Sequence, residues 1–262
     1  MICINKFIDN ATPDVKYIKA INTIIKIDGK VKVYNTDWVA IYNLITQKLG
    51  KIHHIDNSNK INKILIIGTG GTSLAAIFAV LKMGSIPIIY NRETNIVKNM
   101  KFMNDLWKQN SKPQYCYDLS MLNYTNNFEP FSSLIKEEDI EGIKALSESI
   151  KQGHRAETGV DAVISWIPGV VGFSIPEDVA DVVLGTDTNE STKVVLDASY
   201  IPKETELLKQ ALKYNCEIIT GVEMLIDQAW EQAKIFTGKG IFSDSCVSTV
   251  NSAVYTYYNS IT

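Results

Sequence analysis

Apolar positions in this chain fall into short β-branched runs separated by stretches with helical spacing. Lys63-Ile64-Leu65-Ile66-Ile67 is one such run. It ends in the turn Gly68-Thr69-Gly70-Gly71, which opens into an apolar stretch at 74–81. Short apolar runs bounded by turn residues read as buried strands, whereas recurrence at every third or fourth position reads as helix. On these rules strands are expected at 20–27, 30–34, 63–67, 86–90, 161–165, 193–197 and 217–220. Helices are expected at 8–19, 38–49, 72–83, 95–108, 205–214 and 224–237. In the helix at 38–49, Trp38, Ile41, Leu44, Ile45 and Leu49 share one face. Asp28-Gly29 between the first two strands is a hairpin turn signal. Residues 50–62 read as a polar linker. The polar stretch 109–158 reads as long loops or an insertion, with one helix near 139–152.

Strands alternating with helices predict an open parallel sheet, built from right-handed crossovers. Ligands of such sheets lie at the carboxyl ends of the strands, which here are 68–72, 91–92, 165–166 and 197–200. A glycine turn between strand and helix presents backbone N–H groups and the positive end of the helix dipole to an anion. Gly68 suits the tight turn and Gly70 the close approach of a pyrophosphate, with Gly71, Thr69 and Thr72 completing the cradle. Ser73 stands where a packing glycine is usual. At the end of the next strand, a carboxylate would accept from a ribose 2′-OH and repel a 2′-phosphate. Asn91 and Arg92 occupy that place, with Lys98 further on and Glu93 opposed in charge. A guanidinium makes forked contacts to phosphate, so NADP is expected over NAD. The alternative is that Arg92 is an ordinary surface charge.

Composition narrows the classes. Of 262 residues, 45% are hydrophobic, enough for a substantial core, and the formal net charge of −3 leaves no basic footprint for nucleic acid. No apolar run reaches membrane-span length, and the first residues lack a signal-peptide pattern, so a cytoplasmic protein is expected. The four cysteines, Cys3, Cys116, Cys216 and Cys246, form no C-x-x-C and read as free thiols. His53 and His54 are adjacent and His154 is distant, so no metal site is expected.

Separated segments carry a family resemblance. Lys19-Ala20-Ile21-Asn22-Thr23 resembles G-A-V-N-T, and Val33-Tyr34-Asn35-Thr36-Asp37-Trp38 resembles G-x-N-T-D-W. Gly68-Thr69-Gly70-Gly71-Thr72 with Asn91-Arg92-Glu93 resembles G-A-G-G-A with N-R-T. The segment from Leu196 to Leu208 resembles D-M-V-Y-x-P-x-x-T-x-L-L. Gly221-Val222-Glu223-Met224-Leu225-Ile226-Asp227-Gln228-Ala229, leading to Phe236-Thr237-Gly238, resembles G-x-x-M-L-x-x-Q-A … W-T-G. Together they resemble the shikimate dehydrogenase family, most closely the dehydrogenase module of the fungal pentafunctional AROM polypeptide. The resemblance implies a Rossmann-type doubly wound parallel sheet over 38–222 that binds NADP. It also implies a truncated α/β substrate-binding domain, made of 1–37 and 223–262 and completed by C-terminal helices. The implied reaction interconverts 3-dehydroshikimate and shikimate in aromatic amino-acid biosynthesis. By motif, Asn22, Asp37 and Gln228 would bind substrate, and Asp37 would share the proton with a lysine. Tyr200, Gly221 and Met224 would lie near the nicotinamide. Residue chemistry alone leaves other readings open: Asn35-Thr36-Asp37 as a helix cap, Asn22 as a satisfied strand residue, and Gln228 as a helix-surface residue.

The chain also departs from the pattern. The family's substrate domain begins with S-x-S-P, whose serines hold the shikimate carboxylate, and its catalytic lysine lies in V-T-x-P-x-K. Aligned from Asn22, that lysine position falls at Met1, so both features are expected to be missing; Lys6 lies nearby but later. Val33 and Ala40 replace glycines, Ala233 replaces a phenylalanine, and Trp166 stands where a small threonine is usual, beside the cofactor crevice. Two functions therefore stay open. One is an NADP-dependent dehydrogenase, active or an inactive fragment, for shikimate or quinate. The other is a regulatory module that binds shikimate or quinate without turnover. Missing strands would expose apolar sheet surface, so other AROM domains or a homodimer partner are the expected company.

Overall fold

A computed structural model describes residues 7–52, 62–68, 71–90, 160–175, 177–185 and 192–261. The chain begins with α1 (Pro13–Ile18) and a hairpin of β1 (Thr23–Ile27) and β2 (Lys30–Tyr34), followed by α2 (Asp37–Ile52). The parallel part comprises β3 (Lys63–Ile67), α3 (Gly71–Lys82), β4 (Ile86–Tyr90), β5 (Ala162–Ser165), α4 (Glu177–Val183), β6 (Val194–Asp197), α5 (Glu206–Lys213) and β7 (Glu217–Ile219). Two long helices close it, α6 (Gly221–Thr237) and α7 (Asp244–Ile261).

The sheet order is β4-β3-β5-β6-β7, with every pairing parallel. Side chains alternate between two cores, as a strand period of two requires. Ile64, Ile66, Ala162, Ile164, Val194, Leu196 and Ile219 face α2, α3 and Met224 of α6. Leu65, Ile67, Val163 and Val195 face α4 and α5 through Ala180, Leu207, Leu208 and Ala211. Helices covering both faces make this a doubly wound α/β sheet and explain why its strands are apolar throughout. In α2, Ile41, Ile45 and Leu49 are buried in the first core with Trp38 and Leu44 against them, the face that their spacing predicts.

The hairpin forms where Asp28-Gly29 placed it, with both residues left-handed (φ 50° and 77°) and Thr23 opposite Tyr34. Positive φ at both central positions matches the twist of the flanking strands. Elsewhere the boundaries moved. The helix expected at 8–19 is broken into a short 3₁₀ turn at Ile8–Asn10 and α1, because Thr12 is extended before Pro13 (φ −63°, ψ 156°). The strand expected from residue 20 begins at Thr23, since the Asn35 side chain takes the Ala20 carbonyl (3.2 Å). Helix α6 starts at Gly221 rather than 224, fixed by a capping box between Thr220 and Glu223. Helix α4 had no counterpart in the sequence reading, and α7 had only the C-terminal helices that the resemblance implied. Helix α7 is rich in Ser, Thr, Tyr and Asn, which are modest helix formers. The helix at 95–108 and the stretch 109–158 lie outside the described residues.

Among the described residues no helix is long and apolar enough to cross a membrane, and no group of three or more His, Cys, Asp or Glu gathers as for a metal ion. Cys216 and Cys246 are free thiols, the first buried and the second exposed. Burial pushes the Cys216 thiol up to about 11, which keeps it protonated and unreactive. Cys3, Cys116 and the three histidines lie outside the described residues.

Candidate active site

The start of α2 is capped by Asn35. Its Oδ1 accepts from the N–H groups of Asp37 (3.0 Å) and Trp38 (3.3 Å). Neither Thr36 nor Asp37 is needed for that task, so the Asp37 carboxylate is left for other partners. Asn22, reaching across from the start of β1, donates through Nδ2 to Asp37 Oδ1 (2.8 Å) and to Thr36 Oγ1 (3.0 Å). Its Oδ1 accepts from the Thr36 N–H (2.9 Å) and from Thr23 Oγ1 (2.8 Å). All the hydrogen-bonding capacity of the Asn22 amide is thus spent inside the protein. Burial raises the Asp37 pKa above the ordinary carboxylate value, and the Asn22 bond only partly opposes it.

Asp37 lines a cleft of about 330 Å³ at the carboxyl ends of the parallel strands. Thr72 at the start of α3, Trp166 after β5 and Tyr200 after β6 form further walls, and Gly221, Met224 and Gln228 of α6 close it. Met224 and Gln228 are four residues apart on one helix face, so both reach the same opening. Helix α6 is tied to α2 below the cleft by Asn43 Nδ2 donating to Asp227 Oδ2 (3.1 Å). Asn22 is exposed beside Asp37 and reaches the cleft through its bond to that carboxylate.

Backbone packing explains two glycines. Gly68 has φ 114°, and a Cβ there would lie 3.3 Å from Trp166 Cβ and 3.4 Å from Ser73 Oγ. A Cβ on Gly221 would lie 2.5 Å from the Ala198 carbonyl oxygen, so the first turn of α6 rests directly on the backbone after β6. The start of α3 is equally close to the hairpin side, since a Cβ on Gly71 would lie 3.2 Å from Ala20 Cβ. The start of α3 and the segment before β1 are therefore in direct contact.

Whether these residues fit a dinucleotide is tested by what they leave unpaired. Ser73 Oγ and Trp166 Nε1 are buried without a hydrogen-bond partner among the described residues, and both side chains bracket Gly68. Helix α3 points its N-terminus at the same place, with Thr72 on the cleft wall. An anion-ready helix end beside unsatisfied polar groups at the end of β3 suits a phosphate-bearing ligand. Thr69, Gly70, Asn91 and Arg92 lie outside the described residues.

The loop after β6 is stapled at both ends by Asp197, which is buried. Its Oδ1 accepts from the Ser199 N–H (3.1 Å) and its Oδ2 from Thr205 Oγ1 (2.7 Å). Burial raises this carboxyl also, against both hydrogen bonds. Thr205 in turn caps α5 by accepting from the Leu208 N–H. The sequence reading left the cap open among Asn35, Thr36 and Asp37, and it missed the polar links of α7. The first had a signal, an asparagine just ahead of a helix start; the second had none.

Comparison with known proteins decides the family. A shikimate dehydrogenase (NADP(+)) of Methanococcus maripaludis is 31% identical over 239 residues, covering 91% of this chain and 69% of that protein. The chain belongs to the shikimate dehydrogenase family. A crystal structure of a shikimate dehydrogenase in complex with NADP+ matches with a TM-score of 0.59 at 26% identity, over 97% of this chain and 72% of that one. The structure of dehydroquinate dehydratase and shikimate dehydrogenase from S. pombe AroM shares the fold, with a TM-score of 0.59 at 24% identity, over 96% of this chain and 41% of that one. No family model matches the chain.

Proposed function

We propose that the chain is a cytoplasmic, NADP-dependent shikimate dehydrogenase that interconverts 3-dehydroshikimate and shikimate. The observation that carries this reading is the convergence of Asp37, Tyr200, Gly221, Met224 and Gln228 on one cleft, with the α3 N-terminus at its edge. In the proposed division, 38–222 holds the dinucleotide, and 1–37 with 223–262 hold the substrate. Gly68, Thr69, Gly70, Gly71 and Thr72 would receive the pyrophosphate, and Asn91 and Arg92 the 2′-phosphate. Tyr200, Gly221 and Met224 would border the nicotinamide.

When bound, NADP supplies or accepts the hydride. The protein must then hold a proton at the substrate oxygen whose charge changes. Asp37 is suited to that task, because burial favours its protonated form and Asn22 fixes its orientation. Gln228 can donate and accept at once, which matches a ring bearing several hydroxyls. Asn22 serves the substrate side chiefly by aiming Asp37, since its own bonds are already made.

One observation favours a second reading, a module that binds shikimate or quinate without turnover. Trp166, a bulky indole where the resemblance leads to a small threonine, stands on the cleft wall. Purified protein mixed with shikimate or quinate and NADP⁺, followed at the reduced-nicotinamide absorbance, separates the readings. Turnover with shikimate supports the dehydrogenase, and turnover with quinate alone makes it a quinate enzyme. NADPH binding without turnover supports the module, and absence of NADPH binding overturns both. Light scattering tests the assemblies this reading allows, a second copy or AROM-type domains.

A further inference from the structure

Helix α7 has 18 residues, yet only Tyr258 is buried. An amphipathic helix held by the hydrophobic effect would bury a stripe of apolar side chains. This one is attached by polar contacts at its middle and near its end instead. Midway along it, Asn251 Oδ1 accepts from Trp230 Nε1 of α6 (2.9 Å). Near its end, the Tyr258 hydroxyl donates to the backbone carbonyl of Tyr200 (2.7 Å), and Asn259 Oδ1 accepts from Lys203 Nζ. The Lys203 ammonium also stands 5.9 Å from the centre of the Tyr258 ring.

Both partners at that end belong to the loop 198–205, which carries Tyr200 into the cleft. The ends of this loop are secured by Asp197 through Ser199 and Thr205. Its middle, residues 200–204, is exposed to solvent. Within the loop, Ser199 Oγ donates to the Ile201 carbonyl (3.1 Å) and Gly169 packs against Ile201 and Pro202, so residues 203–204 and the Tyr200 carbonyl are the parts left to be held from outside. The contacts from α7 fall on that middle. The Tyr258 hydroxyl is the donor in the central contact, and burial keeps it protonated.

We propose that Tyr258 is a positioning residue of the active site: through the Tyr200 carbonyl it holds the loop 198–205 so that Tyr200 forms the cleft wall. The inference rests on the dehydrogenase reading only for what the cleft binds; the coupling between α7 and the loop stands on the geometry alone. It makes the C-terminal helix part of the ligand site although no residue of α7 lines the cleft.

Two measurements on the full chain test it. Tyr258→Phe keeps the ring and removes one hydroxyl. Hydrogen exchange of the ligand-free protein should then speed up in 198–204 while β6 and α5 keep their protection. Unchanged exchange in the loop, or acceleration spread through the whole sheet, overturns the proposal. In parallel, NADPH affinity is read by fluorescence in the wild type, Tyr258→Phe, Tyr200→Ala and the double variant. Loss of one hydrogen bond of ordinary strength corresponds to about fivefold weaker binding in Tyr258→Phe. That penalty should vanish in the Tyr200→Ala background, because a residue acting through Tyr200 has nothing left to position. A penalty that persists undiminished there overturns the proposal. A wild type that binds no NADPH strikes the dehydrogenase reading instead, and the exchange result then decides this inference. Lys203→Met, which removes the second contact, should accelerate loop exchange in the same segment.

Discussion

At the start of α2 and at the end of β6 the chain sets an aspartate beside the same cleft, Asp37 half-buried and Asp197 buried, and loss of solvent raises both carboxyls. Their surroundings differ. Asp197 has a partner on each oxygen, and both partners lie within eight residues of it, so it closes a local loop. Asp37 has one oxygen held by Asn22, fifteen residues away, and its capping duty is taken over by Asn35. Among the described residues its second oxygen has no hydrogen bond, and its side chain opens on the cleft. A raised pKa does not distinguish a structural carboxylate from a reactive one. The distinction lies in which lone pairs remain for a substrate.

The sharpest way to break this contrast is Asp37→Asn. The amide keeps the shape and the Asn35 cap but cannot exchange a proton. Turnover of shikimate should fall by about 10²–10⁴-fold, the usual share of a positioned acid or base, while the melting transition stays close to wild type. Steady-state kinetics and a thermal scan on the same sample check both halves. An Asp37→Asn protein with wild-type turnover would falsify the assignment of the proton to Asp37.

Asp197→Ala should reverse the pattern. The Thr205 hydroxyl and the Ser199 N–H lose a charged acceptor in a buried place, so stability should drop by about 2–3 kcal/mol. Denaturant unfolding reads this as a lower midpoint, and turnover per folded molecule should fall less than in Asp37→Asn. The comparison collapses if Asp197→Ala leaves the midpoint unchanged.

Another locally paired carboxylate, Glu223, sits in the capping box of α6, where its Oε2 accepts from the Thr220 N–H at 2.7 Å. Thr220→Ala removes the reciprocal half of that box and should cost about 1 kcal/mol. A midpoint shift as large as that of Asp197→Ala would contradict the weight given to burial.

The pH dependence is the finest probe. A carboxyl whose pKa is raised on folding binds its proton more tightly in the folded state. Its contribution to stability is therefore complete below the ordinary value of 3.8 and is lost as pH rises through the raised folded value. Asp37 and Asp197 act in the same direction. Asp37→Asn should thus flatten the fall in stability that begins above pH 3.8, without removing the part due to Asp197. Unfolding curves at a series of pH values measure this, and a profile parallel to wild type would count against the burial of Asp37.

Much of the parallel sheet was legible because its strands are continuous β-branched runs that neighbouring helices must cover. The Asp28-Gly29 hairpin and the Met224–Gln228 face of α6 were equally local, each set by backbone conformation or by spacing. The cap of α2 was ambiguous, since Asn35, Thr36 and Asp37 can each accept from a helix N-terminus. Asn22 resolved it by arriving from another element with donors that suit Asp37. Helix α7 was legible only through the resemblance, which implies C-terminal helices, and not from its own residues. Its residues show no strong preference for helix, and what holds it are contacts to Trp230, Tyr200 and Lys203, partners remote in sequence.

The sequence by itself determined the strands of the parallel sheet, most of the helices around them and the family, because these depend on local propensity and on motifs with fixed spacing. Only the tertiary structure decided which aspartate has both oxygens engaged in holding a loop and which, among the described residues, has one oxygen without a hydrogen bond. It also decided that Asn22 holds Asp37 and that a helix late in the chain bonds to the loop of Tyr200. The physical reason is common to all of these. A hydrogen bond depends on where two groups meet in space, and for groups far apart in sequence that meeting is arranged by packing.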